Sequence, residues 1–248
     1  MELKAPETGK DILITYADMD SKMVLKPSAL FNYLQELASE NAEEYNFGFS
    51  ATYPNNLGWF LLKYRMEFTS YPKNLKNIYI KTTPRGCYKL FAYRNFTIYN
   101  DNSVIGRISS TWSLVDLTSK KLMIVDKALS SPYLVKHEKT NEDLNYEKIP
   151  EIDTADLTKE FEIRFDDIDV NGHVNNANYI IWALEPLDFY FRCKKHLKTL
   201  DVVFKKEVKY GNKILSEVKF DGTKTIHLLK NSTTGEDLCA IQAEWIDN

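Results

Sequence analysis

Residues 167–184 read DIDVNGHVNNANYIIWAL, a polar loop that leads directly into an apolar run. An Asn ahead of such a run is a preferred helix N-cap, and Pro186, just beyond it, is typical of a helix end. The apolar residues leave almost no charged face along this run, which indicates a helix that is buried on most sides. The stretch therefore predicts a loop of carboxylates, carboxamides and one imidazole at the start of a buried helix.

A related segment occurs earlier in the chain. Residues 14–20 read ITYADMD, and Pro27 then precedes apolar residues at helical spacing. The two segments align without a gap, which places Asp18 on Asp167 and Asp20 on Asp169. The sequence thus predicts the same loop and helix twice.

Segments with strand character follow each helix. Many alternate apolar and polar residues, which is typical of antiparallel sheets with one covered face. The predicted strands are 59–68, 78–83, 90–99 and 103–117 in the first half, and 200–210, 214–220, 226–230 and 240–246 in the second. This order predicts an α+β fold of the tandem (double) hotdog type, in which two antiparallel sheets each wrap a long buried helix.

A charged stretch with two prolines separates the halves. Because it shows no sustained apolar period, it predicts a surface connection between two packed units. The predicted boundaries are 1–132 for the first hotdog, 133–156 for the linker and 157–248 for the second hotdog.

The composition excludes several classes of protein. The chain has 248 residues, 44% hydrophobic and 27% charged, with a net charge of -3. It lacks the basic surplus of a nucleic-acid-binding protein and any apolar run long enough to span a bilayer. Three scattered cysteines, four dispersed histidines and no targeting segment lead us to expect a cytoplasmic protein without metal or cofactor.

The two related loops differ in their side chains. Lys22 stands where the second loop has Asn171, and Val24 stands where it has His173. Asp and Asn in such loops are most often turn and cap residues, because their side chains bond their own backbone. An imidazole present in one loop alone is the pattern expected if one half catalyses and the other shapes a pocket.

The segment resembles the active-site segment of the acyl-acyl carrier protein thioesterases of plant plastids and bacteria. Shorter matches support this resemblance: Trp59 followed by Arg65, residues 89–96, and residues 105–112. It extends from about residue 12 to about residue 245. The family is expected to hydrolyse fatty acyl thioesters, with a non-catalytic first half forming the acyl pocket.

The resemblance implies four catalytic residues, namely Asp169, Asn171, His173 and Glu207. Plant members have a cysteine after the glutamate, but this chain has Val208 there. A cysteine nucleophile at that position is therefore excluded, and direct attack by water is expected. Backbone N–H groups from Gly172 to Val174 are the predicted oxyanion donors.

The resemblance also implies a partner, acyl carrier protein bearing the acyl-phosphopantetheine. Phe31 and Trp59 are candidate acyl-pocket residues. Arg192, Lys205 and Lys206 belong to a basic stretch that could receive the acidic carrier, although a solvated lysine face is an equal explanation.

Three other readings remain open at the level of sequence. A hotdog dehydratase acting on 3-hydroxyacyl thioesters would also use a histidine and a carboxylate. A non-catalytic acyl-thioester binding module would bind without turnover, and a hydrolase using Cys193 is a remote fourth reading. A tandem hotdog supplies its own pair of halves, so either a monomer or a homodimer is expected.

Overall fold

The computed structural model describes residues 6–170 and 172–247, and it has an α+β fold with much antiparallel sheet and few helices. The strands of the described residues are β1 (Thr8–Leu13), β2 (Leu57–Phe68), β3 (Asn77–Tyr88), β4 (Phe91–Asn100), β5 (Ser103–Asp116), β6 (Leu122–Met123), β7 (Leu157–Glu162), β8 (Lys195–Phe204), β9 (Lys213–Asp221), β10 (Lys224–Asn231) and β11 (Asp237–Asp247). The helices are α1 (Pro27–Glu44), α2 (Phe49–Thr52), α3 (Val125–Ala128), α4 (Asn176–Leu184) and α5 (Phe189–Lys194). None of these helices is long and apolar enough to cross a membrane.

The described chain packs as two compact units. The first comprises residues 6–15, 32–66 and 75–145, and the second comprises 16–31, 67–74 and 146–247. The loop that precedes α1 therefore belongs to the second unit, together with its counterpart before α4. The boundaries drawn from the sequence remain a prediction about the repeats.

The first unit contains the strand order β1-β3-β4-β5-β2, with β6 paired to β5. Its apolar core includes a cluster of small and aliphatic side chains around Phe47. The same unit buries Arg94, whose Nη1 donates to Asn41 Oδ1 at 2.8 Å and to Thr82 Oγ1 at 2.9 Å. These bonds offset part of the cost of burying a guanidinium.

The second unit contains the strand order β8-β11-β10-β9-β7. Six of the nine residues of α4 are buried, and the helix packs against β9 and β10. Fully burying an Ile or Leu side chain stabilises a fold by about 1.5–3 kcal/mol, so this face fixes the helix. Beneath it lies His227, whose Nδ1 is 2.6 Å from the carbonyl oxygen of Ala183.

The repeat predicted from the sequence is confirmed along the chain. β1 and β7 share one pattern of burial, a 3₁₀ turn follows each of them, and α1 and α4 begin at the same offset. Pro27 opens α1, where its missing N–H has no helical partner to lose. The helices differ in length, 18 residues in α1 and nine in α4.

The predicted strand 200–210 is wrong at its end. β8 runs from Lys195 to Phe204, and the chain then leaves the sheet. The N–H groups of Lys205 and Lys206 both donate to the carbonyl of Leu238, at 2.8 and 3.1 Å. In a regular antiparallel ladder, successive N–H groups of one strand point to opposite sides and reach different carbonyls. Two successive N–H groups that share one carbonyl therefore end the ladder.

The connection between the halves is anchored to the first unit at its start. The N–H of Cys87 donates to Val135 O, and that of His137 donates to Cys87 O, both at 2.8 Å. Asp143 follows, accepting from Arg85 Nε at 3.2 Å and from Asn95 Nδ2 at 2.8 Å. This part of the connection is therefore tied down by hydrogen bonds along the surface.

Candidate active site

The second loop, residues 165–175, folds back on itself before α4. A bridge joins Ile168 to Val174, and the N–H of Asp169 donates to His173 O at 2.7 Å. Gly172 sits inside this turn with a φ of +77°, in the left-handed region that suits glycine. Backbone freedom at the turn explains Gly172, and a Cβ added there would meet no atom within 4 Å.

Asp167 anchors this loop from below. Its buried carboxylate accepts the N–H of Arg164 at 2.7 Å and Arg164 Nη2 at 2.6 Å. Its carbonyl accepts the N–H of Asn175 at 2.9 Å and Asn178 Nδ2 at 3.0 Å. The Asn175 side chain caps α4 as predicted, accepting the N–H of Ala177 at 2.9 Å. The turn-and-cap explanation therefore holds for Asp167 and Asn175.

The structure brings His173 and Glu207 together. His173 Nε2 lies 3.3 Å from Glu207 Oε2, with side-chain exposures of 16% and 41%. The N–H of Val174 donates to Val208 O at 3.2 Å, which ties the loop to the segment that contains Glu207. An imidazole beside a partly exposed carboxylate forms an acid–base pair that water can reach.

Two other predicted residues belong to the same loop. The carboxylate of Asp169 accepts the N–H of His173 at 3.2 Å, so Asp169 supports the turn that presents the imidazole. Asn171 lies outside the described residues.

The predicted oxyanion donors are already engaged within the fold. The N–H of Gly172 donates to Asp169 O at 3.0 Å, and that of His173 donates to the Asp169 carboxylate. The N–H of Val174 donates to Val208 O. This geometry argues against Gly172 and Val174 as oxyanion donors, since each amide would first have to break a bond that shapes the loop.

The first loop, residues 16–26, repeats the backbone hydrogen bonds of the described residues of the second loop. The N–H of Asp20 donates to Val24 O at 2.8 Å, and the N–H of Val24 donates to Asp20 Oδ1 at 3.1 Å. Met23 takes the left-handed position of Gly172, with a φ of +60°. The first loop is therefore a structural copy of the second.

The copy also identifies the counterpart of Glu207. The N–H of Leu25 donates to Pro72 O at 3.0 Å, as that of Val174 does to Val208 O, so Tyr71 occupies the place of Glu207. Burial raises the pKa of Tyr71, and the Asp20 carboxylate acts in the same direction. Within the described ranges the Tyr71 hydroxyl has no hydrogen-bond partner.

The predicted pocket residues lie in the packed interior. Phe31 is fully buried in α1. Trp59 is half-buried against the apolar core of the first unit, and its Nε1 donates to Phe47 O at 2.7 Å. Both positions contribute to packing, and their contact with an acyl chain stays a prediction.

The predicted docking residues are partly neutralised. Lys205 pairs with Asp237 at 2.6 Å, and Lys206 pairs with Glu236. Arg192 Nη1 lies 3.7 Å from Glu185. Exposed pairs of this kind are weak and exchange readily, so they do not prevent the lysines from meeting an acidic partner.

No metal centre is evident in the part of the chain that the structure describes. His, Cys, Asp and Glu side chains there form no group of three that could hold an ion.

Comparison with known families matches both halves of the chain. Residues 7–133 match the acyl-ACP thioesterase N-terminal domain, and residues 150–247 match the acyl-ACP thioesterase C-terminal domain. The chain belongs to the acyl-ACP thioesterase family. The pair His173 and Glu207 lies in the C-terminal domain of this family, whereas Tyr71 lies in the N-terminal domain.

This chain is similar to other proteins in sequence and in fold. A chloroplast acyl-[acyl-carrier-protein] hydrolase of Cuphea viscosissima is 27% identical over 236 residues, covering 87% of this chain and 57% of the relative. This thioesterase-family chain thus spans little more than half the length of that relative. A Lactobacillus plantarum protein described as an oleoyl thioesterase superposes with a TM-score of 0.87 at 24% identity, covering 98% of this chain and 97% of its own. The 12:0-ACP thioesterase of Umbellularia californica superposes with a TM-score of 0.81 at 17% identity, covering 100% of both chains.

Sequence reasoning missed two residues near the site. Tyr71 could not be matched to Glu207, because the chain between helix and returning segment is longer in the first repeat than in the second. The sequence pattern predicts only a helical position for Tyr179, yet its hydroxyl contacts the segment of Glu207. The gapless alignment does contain a signal, since it places Tyr179 opposite Leu30.

Proposed function

We propose that this chain hydrolyses fatty acyl-ACP thioesters and releases free fatty acid. The observation that supports this function is the 3.3 Å contact between His173 Nε2 and Glu207 Oε2 in the family's C-terminal domain. A carboxylate–imidazole pair at a water-accessible position can take a proton from water and return it later.

The proposed reaction uses one water molecule. Glu207, with His173, removes a proton from this water as its oxygen attacks the thioester carbon, and Asn171 orients the water. The carbon–sulfur bond then breaks, and the thiolate of the phosphopantetheine takes up the proton. Because the backbone N–H groups of Gly172, His173 and Val174 are engaged, we assign stabilisation of the oxyanion to side-chain donors, the His173 imidazole and the Asn171 amide.

The proposal includes the finer fold. Each repeat of strand, 3₁₀ turn, helix and antiparallel strands is one hotdog, and the whole is a tandem hotdog with its chemistry in the second repeat. The matching backbone hydrogen bonds of the described residues in the two loops support this assignment. A cytoplasmic location stays a prediction.

The proposed partner is acyl carrier protein, received by Arg192, Lys205 and Lys206. Electrostatic docking of this kind acts mainly on association and weakens with salt. Lys206→Gln should raise KM for the carrier-bound substrate while KM for the matching acyl-pantetheine stays unchanged. Lys213→Gln is the matched control, because Lys213 is also exposed and paired with acidic neighbours. An unchanged KM in Lys206→Gln at low and high salt would remove this docking site.

The experiment for the reaction follows thiol release from acyl-ACPs of several chain lengths. Wild type should release thiol, and His173→Ala should lose about a hundred- to ten-thousandfold in kcat. Val24→Ala is the matched control, since Val24 occupies the same position in the first loop. Binding of acyl-ACP without thiol release in wild type would indicate a binding module, and loss of water from 3-hydroxyacyl-ACP would indicate a dehydratase.

A further inference from the structure

The Tyr179 hydroxyl lies against the backbone on both sides of Glu207. It donates to Lys206 O at 3.4 Å, a long contact, and hydrogen bonding from the backbone of Val208 lowers the pKa of the phenol. We propose that Tyr179 is a positioning residue that holds Glu207 at its working distance from His173. This proposal rests on the hydrolytic function proposed above and adds a residue to it.

Glu207 needs such support because it lies beyond the end of β8. The strand ends at Phe204, and the N–H groups of Lys205 and Lys206 share the acceptor Leu238 O, so the regular ladder stops before Glu207. The carboxylate is also 41% exposed, which leaves its side chain little packing. A shift of about 1 Å at a catalytic group can cost roughly a hundredfold in rate, so each contact that fixes this segment contributes to the geometry of the pair.

Tyr179 itself is rigidly placed. It lies in the first turn of α4 and is 2% exposed. Its ring makes an edge contact with Phe204, with centroids 5.6 Å apart, and a tilted contact with Trp182 at 5.9 Å. A phenol fixed by its ring can hold a backbone segment in one position.

The hydroxyl stays protonated near neutral pH. Burial raises the pKa of Tyr179, and the carboxylates of Glu207 and Asp169 act in the same direction, whereas the Val208 N–H lowers it. The phenol therefore remains a donor to Lys206 O across the range in which the enzyme would work. It can accept from Val208 at the same time.

The first repeat supports the assignment by its contrast. Leu30, fully buried, occupies the position of Tyr179 in the aligned helix. Tyr71 replaces Glu207 in that repeat, so there is no carboxylate for a hydroxyl to hold. The hydroxyl and the carboxylate thus occur together in one repeat and are both missing from the other, as expected if one serves the other.

A double-mutant cycle tests the proposal, using Tyr179→Phe and Glu207→Gln singly and together on acyl-ACP. Tyr179→Phe keeps the ring and should lower kcat roughly ten- to a hundredfold with KM nearly unchanged. Combined with Glu207→Gln, it should lower kcat no further, because there is no longer a carboxylate to place. Tyr210→Phe is the control, because Tyr210 is close to Glu207 in sequence and is 65% exposed.

Two kinetic outcomes would overturn the proposal. One is a normal kcat in Tyr179→Phe, and the other is an equal further loss when it is added to Glu207→Gln. An absence of hydrolysis in wild type would instead refute the proposed function. Crystal structures test the positioning role independently of kinetics. In Tyr179→Phe the distance between the Glu207 carboxylate and the His173 imidazole should increase, and an unchanged distance would overturn the role of Tyr179.

Discussion

The two loops that precede α1 and α4 share a backbone and differ in chemistry. Both close with the same hydrogen bonds, and both place one residue in the left-handed region. The second loop presents His173 toward Glu207, whereas the first presents Val24 and is followed by Tyr71 at the matching place. A shared loop geometry thus provides a scaffold, and a few side chains decide whether the scaffold has acid–base groups.

The first loop has instead gained a structural contact. Lys22 lies opposite Asn171 in the alignment. Its ammonium group donates hydrogen bonds to Arg192 O at 2.6 Å and to Lys195 O at 3.5 Å. These carbonyls lie at the end of α5, where a cation also interacts favourably with the helix dipole. A position assigned to the site in one loop therefore stabilises a helix end in the other.

The largest difference between the loops should appear in turnover. Glu207→Gln should lower kcat by about a hundred- to ten-thousandfold, because it removes the carboxylate that accepts the proton of water in the proposed reaction. Tyr71→Phe at the matching place should leave kcat within about twofold of wild type. Thiol release from acyl-ACP measures both variants. If Tyr71→Phe were as slow as Glu207→Gln, the first loop could not be regarded as a scaffold alone.

The comparison extends to one buried basic side chain in each unit, Arg94 in the first and His227 in the second. Burial lowers the pKa of Arg94 in the first unit to about 10, so it stays charged, and burial lowers the pKa of His227 in the second to about 4. Because Ala183 O only accepts, His227 Nδ1 carries the proton and Nε2 accepts from the Thr225 hydroxyl, 2.7 Å away. The surroundings of His227 therefore stabilise its neutral imidazole.

This difference predicts a loss of stability in acid. In the unfolded chain, His227 has a pKa near 6.5 and binds a proton below that pH. In the folded chain its pKa is about 4, so it binds the proton only in stronger acid. Stability is therefore full above pH 6.5 and decreases as the pH falls through this window, by about 2 kcal/mol between pH 7 and pH 5. Urea unfolding at several pH values measures it. His227→Gln should flatten this slope, and an unaltered slope would mean that His227 is not its source.

Lys22 should contribute to stability alone. Lys22→Met removes a charge-assisted bond at a partly buried helix end, and it should lower the free energy of unfolding by about 1–2 kcal/mol. The value of kcat should stay near wild type, in contrast to changes at His173. Denaturant unfolding and thiol release, measured on the same sample, separate the two effects. A large fall in kcat at unchanged stability would give Lys22 a role in the site.

Tyr71→Phe should make the smallest change, and it should be stabilising. The Tyr71 hydroxyl is buried and unpartnered among the described residues, and such a group costs roughly 1–3 kcal/mol. Its removal should raise the free energy of unfolding by about 1 kcal/mol. Chemical denaturation measures the gain, and a loss of stability would show that the hydroxyl has a partner in solution, such as a water molecule.

The sequence predicted the two related loops and the helices that follow them because both features are local. Hydrophobic periodicity and capping residues located α1, α4 and the loop before each of them. The predicted end of β8 was wrong because Val208, Lys209 and Tyr210 alternate apolar and polar side chains as a strand does. The shared acceptor Leu238 O ends the ladder there, and it belongs to a distant strand, so no local pattern could reveal it.

The arrangement of the candidate site was predictable only in part. The resemblance placed Glu207 with His173, and the 3.3 Å contact is consistent with it. The engagement of the loop amides depends on the fold of the turn, which the residue types alone leave open. The positions of Tyr71 and Tyr179 depend on bonds between segments distant in the chain, and these become visible only in three dimensions.

The buried hydroxyl of Thr225 also gives the molecule a built-in optical reporter. It accepts the indole N–H of Trp245 at 2.8 Å and, as argued above, donates to His227. When His227 gains a proton, Nε2 becomes a donor, and the Thr225 hydroxyl must rotate so that it accepts from Nε2 instead of donating to it. This rotation changes the environment of the indole. The emission of Trp245 should therefore follow the charge of an imidazole that no solvent probe can reach.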